Sequence, residues 1–503
     1  SNIFVFFLSG KSMIASIFNY FFDKEPFWVV LDIVLLVTIV VMVVVIIMEN
    51  QDPIKTVAWI LVLFLLPLIG IILYVYLGVN PRKRKMISLK GLEDQVSMDH
   101  MIRDQQFRLS GALFVHDEKL APKQHLMNLL LNNSKAIITE HNLVKVLNNG
   151  RQTFGSIIYE LERAQDHIHF EFYIIEDDQI GNKVKDILIR KAQAGVEVKV
   201  LYDDVGSWSL SRRFIKELTS AGVRVMNFMP VRTYAFANKV NYRLHRKIIV
   251  VDGKVGFVGG INVADRYLRG LGRNNRWRDT HLRIEGDAVR SLQAIFLLDW
   301  NFANRSKDFS IRYFPEHSIT AKKLVQIVAS GPDSDWQSIM QAYFAAIATA
   351  TQYVYISTPY FLPNESILTA MKTAALAGVE VRLLLPEKND SWVVGKSSRS
   401  YLKELLQAGV HVHFYLKGFT HSKLMIVDDI FCSIGTANMD IRSFNQDFEA
   451  NALIYDGPLT LQLKQDYLDD ISQSKELSLL DWESRSKWDK AQESVARIFS
   501  PLL

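Results

Sequence analysis

The stretch Thr420–Asp429, THSKLMIVDD, opens an otherwise apolar strand with His421 and Lys423, two residues apart and so on one face of it. Residues 244–253, LHRKIIVVDG, repeat the spacing with His245, Lys247 and Asp252. Both extend to the pattern H-x-K-x4-D-x6-G-[GT]-x-N. The first copy is His245, Lys247, Asp252, Gly259, Gly260 and Asn262; the second is His421, Lys423, Asp428, Gly435, Thr436 and Asn438. A lone histidine is usually structural, but two such patterns at corresponding places in a duplicated chain point to shared chemistry.

The duplication is legible around them. HIHFEFYII (167–175) reads as a strand, GNKVKDILIRKAQAG as a helix and VEVKVLYDD (196–204) as a buried strand. YVYISTPYF, ESILTAMKTAALAG and VEVRLLLP replay this order from residue 353. The helix-ending glycines recur as AGVEV at 194–198 and 377–381, and as AGVRV at 221–225 and AGVHV at 408–412. Strands alternating with crossover helices predict an α/β protein of two similar lobes, each with a mostly parallel mixed sheet flanked by helices. The repeat is far too long for a solenoid.

The paired motif resembles the phospholipase D superfamily. Two apolar runs near the start, DPIKTVAWILVLFLLPLIG, WRDTH and the terminal ARIFSPLL are together similar to bacterial cardiolipin synthases. The resemblance implies transfer of a phosphatidyl group, with phosphatidylglycerol as substrate and cardiolipin as product. The motif residues His245, Lys247, Asp252, His421, Lys423 and Asp428 are then the catalytic set. Two histidines facing across one cleft supply attack on phosphorus and protonation of the leaving alkoxide. Family likeness favours His245 as nucleophile, forming a phosphohistidine, and His421 as acid and base. Lys247 and Lys423 neutralise the non-bridging oxygens, and Asn262 and Asn438 add hydrogen bonds. Two fixed ammonium groups substitute for a metal, so neither metal nor cofactor is expected.

Asp252 and Asp428 lie seven residues beyond their histidines, with opposite strand parity. They are expected to fix the strand end rather than touch substrate. The acids that orient the imidazoles are sought in Asp279 of WRDTH and Glu449 of NQDFEAN, 34 and 28 residues after the histidines they follow. For Asp279 a salt bridge to a neighbouring arginine is the competing role. The intervening run holds Arg266, Arg269, Arg273, Arg276 and Arg278, expected to contact lipid phosphates. FMPVRTYAFANKVNYR (228–243) mixes aromatics and cations suited to a headgroup layer. The carboxy-terminal WESRSKWDKAQESVARIFSPLL suits an amphipathic helix. His167 with His169, and HVH at 411–413, have no completed ligand set and are read as core packing.

Trp28–Met48 carries one acid and Thr56–Leu77 no charge, and each is long enough to cross a hydrocarbon core. With NPRKRK following the second run, the positive-inside rule puts both ends of a two-helix transmembrane hairpin, and the catalytic part, on the cytoplasmic side of a bacterial membrane. A cleavable signal peptide fits badly. The expected order is an interfacial segment (1–27), the hairpin (28–81), a linker (82–135), lobe one (136–318) and lobe two (319–503). The formal charge of +5 is weakly basic and, with the apolar runs, argues against a nucleic-acid partner. One cysteine, Cys432, excludes an internal disulfide and is read as core filler. A hydrolytic phospholipase D, transfer to another alcohol and a non-catalytic lipid scaffold stay open, as does assembly into a homo-oligomer.

Overall fold

The computed structural model describes residues 26–49, 53–74, 120–231, 242–270 and 276–500. The expected interfacial segment, the basic run at 81–85, most of the linker, residues 232–241 of the aromatic and cationic loop, and Arg273 lie outside the described residues. The chain divides into an N-terminal helical unit and a larger unit that holds both repeats.

In the N-terminal unit, the helix Pro26–Glu49 contains the 21-residue apolar span Trp28–Met48. The second apolar run is not one helix. It is Pro53–Leu65 followed by Pro67–Leu73, with Leu66 between them at φ −136° and ψ 68°. Proline lacks an N–H and pushes the residue before it out of the helical region, so the run breaks there. Among the described residues one helix is long and apolar enough to cross a membrane, and the second span is not confirmed. The helices pack through Ile46, Leu63 and Tyr74.

In the larger unit the first repeat forms a seven-stranded sheet. Its order is Asn142–Asn148, Thr280–Gly286, Val255–Gly259, Lys247–Val251, His167–Phe172, Glu197–Asp203 and Arg224–Phe228. The second repeat builds the same order from Leu324–Ser330, Glu449–Tyr455, Phe431–Gly435, Leu424–Val427, Tyr353–Ser357, Glu380–Pro386 and His411–Tyr415, with an extra strand at each edge. Each sheet is mixed as expected, but its parallel part is smaller than the expectation. Only the last three strands of each set run parallel; the rest pair antiparallel. The reason lies just after the motif. Asp252 and Gly253 have φ of +53° and +63°, and Asp428 and Asp429 +53° and +56°. Two consecutive left-handed residues make the tight turn that folds a strand back as a hairpin rather than a crossover.

Asp252 and Asp428 hold those turns. The Asp252 carboxylate accepts from the backbone N–H of Gln165, Asp166 and His167 at 2.8–3.1 Å. The Asp428 carboxylate accepts from Thr351, Gln352 and Tyr353 in the same way. Each aspartate thus fastens the hairpin to the start of the neighbouring strand, at the end of the strand away from the histidine.

Side-chain alternation splits the apolar residues between cores. Ile249 and Val251 face the helices of lobe one, and Met425 and Val427 those of lobe two. Ile248, Val250, Leu424 and Ile426 instead meet in a core shared by the two sheets, with Cys432 among them. The lobes are therefore joined face to face by buried apolar surface, each such side chain contributing about 1.5–3 kcal/mol. The domain boundary also moves. The helix Gln124–Ser134 buries Leu126, Met127, Leu130 and Leu131 in the core of lobe two, and Ile138–Thr139 pairs with its edge strand. Residues counted as linker or as the start of lobe one thus belong to lobe two.

Asp252→Ala and Asp428→Ala each strip three backbone donors of their acceptor. Each is expected to lower unfolding stability by about 2 kcal/mol, measured by chemical denaturation, while turnover per folded molecule falls far less than on loss of either histidine.

Candidate active site

Each motif histidine enters its strand beside the other lobe. The His245 N–H donates to Phe448 O at 2.9 Å, and the Phe448 N–H returns to Arg243 O at 2.8 Å. The His421 N–H donates to Arg278 O at 2.7 Å, at the end of a short parallel pairing of Gly418–Thr420 with Arg276–Arg278. Phe448 and Arg278 immediately precede Glu449 and Asp279, so the same backbone contacts bring each acid to a histidine.

The acids cross over. His245 Nδ1 lies 2.8 and 3.0 Å from the Glu449 carboxylate oxygens, and His421 Nδ1 lies 2.8 Å from Asp279 Oδ2. Each imidazole is held by the lobe opposite its own, not by the acid that follows it in its own repeat. Both acids and both rings are buried. With Nδ1–H given to a carboxylate, Nε2 of each ring is the atom left for chemistry.

One glycine of the motif, Gly260, makes room for an acid, and Gly435 makes room for the neighbouring Asn451. A Cβ on Gly260 would stand 2.1 Å from Asp279 Oδ1, and one on Gly435 2.2 Å from Asn451 Oδ1. Thr436 replaces Gly260 in the second copy, and its hydroxyl donates to Glu449 Oε2. Burial works to raise Glu449, yet His245, Lys247 and Thr436 together hold it below the usual carboxylate range. Asp279, lacking such a hydroxyl, is pushed up by burial to about 6, against the pull of Lys423 and the Thr280 N–H.

Lys247 Nζ donates to His245 O at 2.6 Å and Lys423 Nζ to His421 O at 2.7 Å, so each lysine curls back along its own strand. Lys423 Nζ also lies 3.1 Å from both ring nitrogens of His421. No described residue hydrogen-bonds Nε2 of His245. Burial lowers Lys247 to about 7 and Lys423 to about 8. It lowers His245 to about 4, and with the two lysines it lowers His421 well below the ordinary imidazole value. Both imidazoles are therefore neutral in the free protein near pH 7.

The other expected residues divide. Asn262 donates from Nδ2 to Tyr267 OH at 2.6 Å and accepts from the Ile174 N–H. Asn438 Oδ1 is buried with no hydrogen-bond partner among the described residues. Arg266 pairs with Glu176 at 2.5 Å and lies close enough to depress His421. Arg269 is exposed and bonds Gln179, and Arg276 is exposed on its short strand. Arg278 is buried, donating to Asp470 Oδ2 at 2.7 Å and to the backbone oxygen of Asp279 at 2.7 Å. It ties the lobes together and is not placed for lipid. Its salt bridge is to Asp470, not to the Asp279 carboxylate.

Sequence reasoning missed the aromatic walls. The Tyr173 ring stands 4.9 Å from His245, and Trp277, Tyr267 and Phe419 stand 5.2, 5.9 and 6.0 Å from His421. Tyr173 was within view in HIHFEFYII, at the end of a strand that pairs with the motif strand. His167 and His169 are buried against Gln293 as core residues, whereas His411 is exposed beside Glu476, which corrects the core reading for that one. Among the described residues no group of three His, Cys, Asp or Glu side chains could hold a metal ion.

Two lobes of one fold, each contributing one His–Lys pair whose orienting acid comes from the other lobe, define a phospholipase D-like protein. The family model for the cardiolipin synthase, PLD-like domain matches residues 157–300 and 343–471, and the phospholipase D-nuclease N-terminal model matches residues 30–78. A cardiolipin synthase of Alkalihalophilus pseudofirmus is 41% identical over 484 residues, 95% of each chain. The major cardiolipin synthase of Bacillus subtilis is 38% identical, covering 90% of this chain and 95% of that one. The crystal structure of phosphatidylserine synthase from Haemophilus influenzae shares the fold, with a TM-score of 0.58 at 15% identity over 76% of this chain and all of that one. The chain belongs to the cardiolipin synthase family and is an enzyme of phospholipid biosynthesis.

Gly260→Ala must displace the Asp279 carboxylate while leaving an ordinary backbone conformation. Turnover per folded molecule is expected to fall about 100-fold, with a loss of stability of about 3–5 kcal/mol as the buried pair is broken, and a variant with normal turnover would show that His421 does not depend on this carboxylate.

Proposed function

We propose that the enzyme condenses two phosphatidylglycerol molecules into cardiolipin and glycerol through a phosphohistidine at His245. The observation that carries this reading is the crossed pairing, which holds Nδ1 of both histidines against carboxylates and leaves Nε2 of each for chemistry. His245 Nε2 attacks phosphorus of the first phosphatidylglycerol. The bond from phosphorus to the glycerol oxygen breaks, and that oxygen takes a proton from His421. A hydroxyl of the second phosphatidylglycerol then gives its proton to His421 and attacks phosphorus, releasing His245. His245 is the better nucleophile because no described residue hydrogen-bonds its Nε2 and its Glu449 stays ionised, stabilising the positive charge that develops on the ring.

His421 is neutral in the free enzyme and must gain a proton before it can act as acid. A phosphodiester anion between Lys247 and Lys423 offsets the charge that depresses His421, so substrate entry arms the acid. Asn438, whose Oδ1 is buried without a hydrogen-bond partner among the described residues, supports the phosphate or headgroup, and Asn262 acts through Tyr267. The aromatic walls limit water, whose attack would give phosphatidate instead. The helix Pro26–Glu49 holds the enzyme at a bacterial membrane, with the catalytic unit on the cytoplasmic side.

Labelled phosphatidylglycerol supplied in bilayers tests the reaction. Cardiolipin with glycerol is the expected product, and phosphatidate alone would move the reading to hydrolysis. His245→Ala and His421→Ala are each expected to abolish turnover, and only the wild type and late-blocked variants should carry a phosphatidyl adduct at residue 245 by mass spectrometry.

The pH dependence of kcat/KM follows from the free enzyme's ionisations. The rate should climb as pH passes about 4, where His245 loses its proton. It should decline as pH rises through about 7 to about 8, where Lys247 and Lys423 lose their charge. A profile flat to well above that range would remove the lysines from phosphate binding.

A further inference from the structure

The helices Trp392–Ser400 and Lys487–Ile498 lie against one another on lobe two, joined by Ser397 and Ser500 at 2.6 Å and by Lys396 and Asp489 at 2.7 Å. On the second helix Trp488, Ala491, Val495 and Phe499 repeat at three- and four-residue spacing, one continuous apolar face. Such a face ordinarily packs into a core. Here it is open: Trp392 is 63% exposed, Trp488 72%, Val495 58% and Phe499 47%. Together with Val393 and Ala496 they line a groove of about 450 Å³ that is almost wholly apolar.

The other flank of the same helix is cationic. A cavity of about 660 Å³ gathers Arg399, Lys403, Arg485, Lys490 and Arg497 against Glu483 and Glu493. Arg485 is committed to Glu493 at 2.6 Å, Lys403 pairs with Glu483 at 3.2 Å and Arg497 with Glu404 at 3.1 Å. Cations still outnumber the acids around the cavity. An apolar stripe with tryptophans at its edge, beside a cation-rich flank, is the arrangement that seats a helix in the interface of an anionic bilayer. A twofold contact between copies through this face would instead bring the two cationic flanks together.

A chain of side-chain contacts links the groove to the motif histidine of lobe two. Trp392 follows Asp390 by two residues, and Asp390 accepts from Tyr360 OH at 2.6 Å. The Tyr360 ring is 6.5 Å from Phe419, itself 6.0 Å from His421. We propose that these two helices are a docking surface for a leaflet containing anionic phospholipid, with Trp392, Trp488, Val495 and Phe499 entering the acyl layer and the cationic flank meeting headgroup phosphates. Lipid would then reach the cleft along the groove rather than through water. This rests on the reading of the cleft as a site for lipid phosphodiesters.

Cys432 is fully buried, so a cysteine placed at 495 can be labelled selectively. The full chain carrying Val495→Cys and an environment-sensitive fluorophore is reconstituted in phosphatidylcholine vesicles with and without phosphatidylserine, an anionic lipid that is not the proposed substrate. Tyr159→Cys, at an exposed position of lobe one, is the reference. We expect brominated acyl chains to quench the label at 495 several-fold more than that at 159, and only when phosphatidylserine is present. Equal quenching at the two positions overturns the proposal. So does shielding at 495 that follows protein density rather than lipid charge, since a second copy would then occupy the groove. Trp392→Ser with Trp488→Ser should raise KM for bilayer substrate about tenfold and leave kcat, and KM for a monomeric short-chain lipid, unchanged; an unaltered bilayer KM counts against it. Normal quenching in an enzyme that makes no cardiolipin would leave the docking surface standing and sink the catalytic reading alone.

Discussion

The exchange of carboxylates between lobes is the constraint on which the rest of the molecule depends. A lobe by itself holds a histidine without the acid that orients it, and an acid without its histidine. Neither half is a site. Removing one partner from a buried pair of this kind typically costs 3–5 kcal/mol, because the other is left charged and desolvated. The two sheets therefore cannot slide against each other without breaking both pairs, and the apolar core between them, with Ile248, Val250, Leu424 and Ile426, sets the spacing that the pairs require. The parallel contact of Gly418–Thr420 with Arg276–Arg278 serves the same end at the backbone level.

Within this near-symmetry two differences give the imidazoles unequal surroundings. Thr436 gives Glu449 a hydroxyl donor where Gly260 gives Asp279 none, and Lys423 touches the ring of His421 where Lys247 bonds only the backbone of His245. One imidazole thus has an ionised, well-fixed carboxylate behind it and an unencumbered Nε2. The other is backed by a weaker acid and crowded by a cation. A nucleophile benefits from the first environment. A group that must change protonation within each cycle is better served by the second, because its affinity for a proton responds to whatever charge enters the cleft.

Local pattern made much of this legible. The duplicated H-x-K segments located both strands, and the repeated AGV junctions located the helix ends that separate the parallel strands. Strand parity set Asp252 and Asp428 apart from the histidines, because a period of two survives without knowledge of the rest of the fold. Crossing of the acids was not legible: Asp279 and Glu449 each follow a histidine in sequence at similar separations, and only the packing of one sheet on the other decides which ring each meets. The hairpin turn at Asp252–Gly253 was available as an Asp-Gly signal, yet the surrounding βα rhythm suggested a crossover. The break at Pro67 was also written in the chain, but hydropathy counts residues without asking whether their helix is continuous. Arg278 sits in a run expected to contact lipid phosphates, and nothing local reveals that its partner, Asp470, lies 192 residues away.

The cleft gathers two lysines, two histidines and two carboxylates where water scarcely reaches. In such surroundings each ammonium costs more than it would in solvent, which is why Lys247 and Lys423 are driven down to about 7 and about 8. A phosphodiester relieves that cost by supplying the missing negative charge, and it restores the lysines' charge as it binds. Water cannot do so, and neither can a neutral alcohol alone. On the proposed reaction, affinity is thereby concentrated on the phosphodiester before any contact with glycerol or acyl chain is made, and selection of the accepting alcohol falls to the aromatic residues and to the lipid phase from which it arrives.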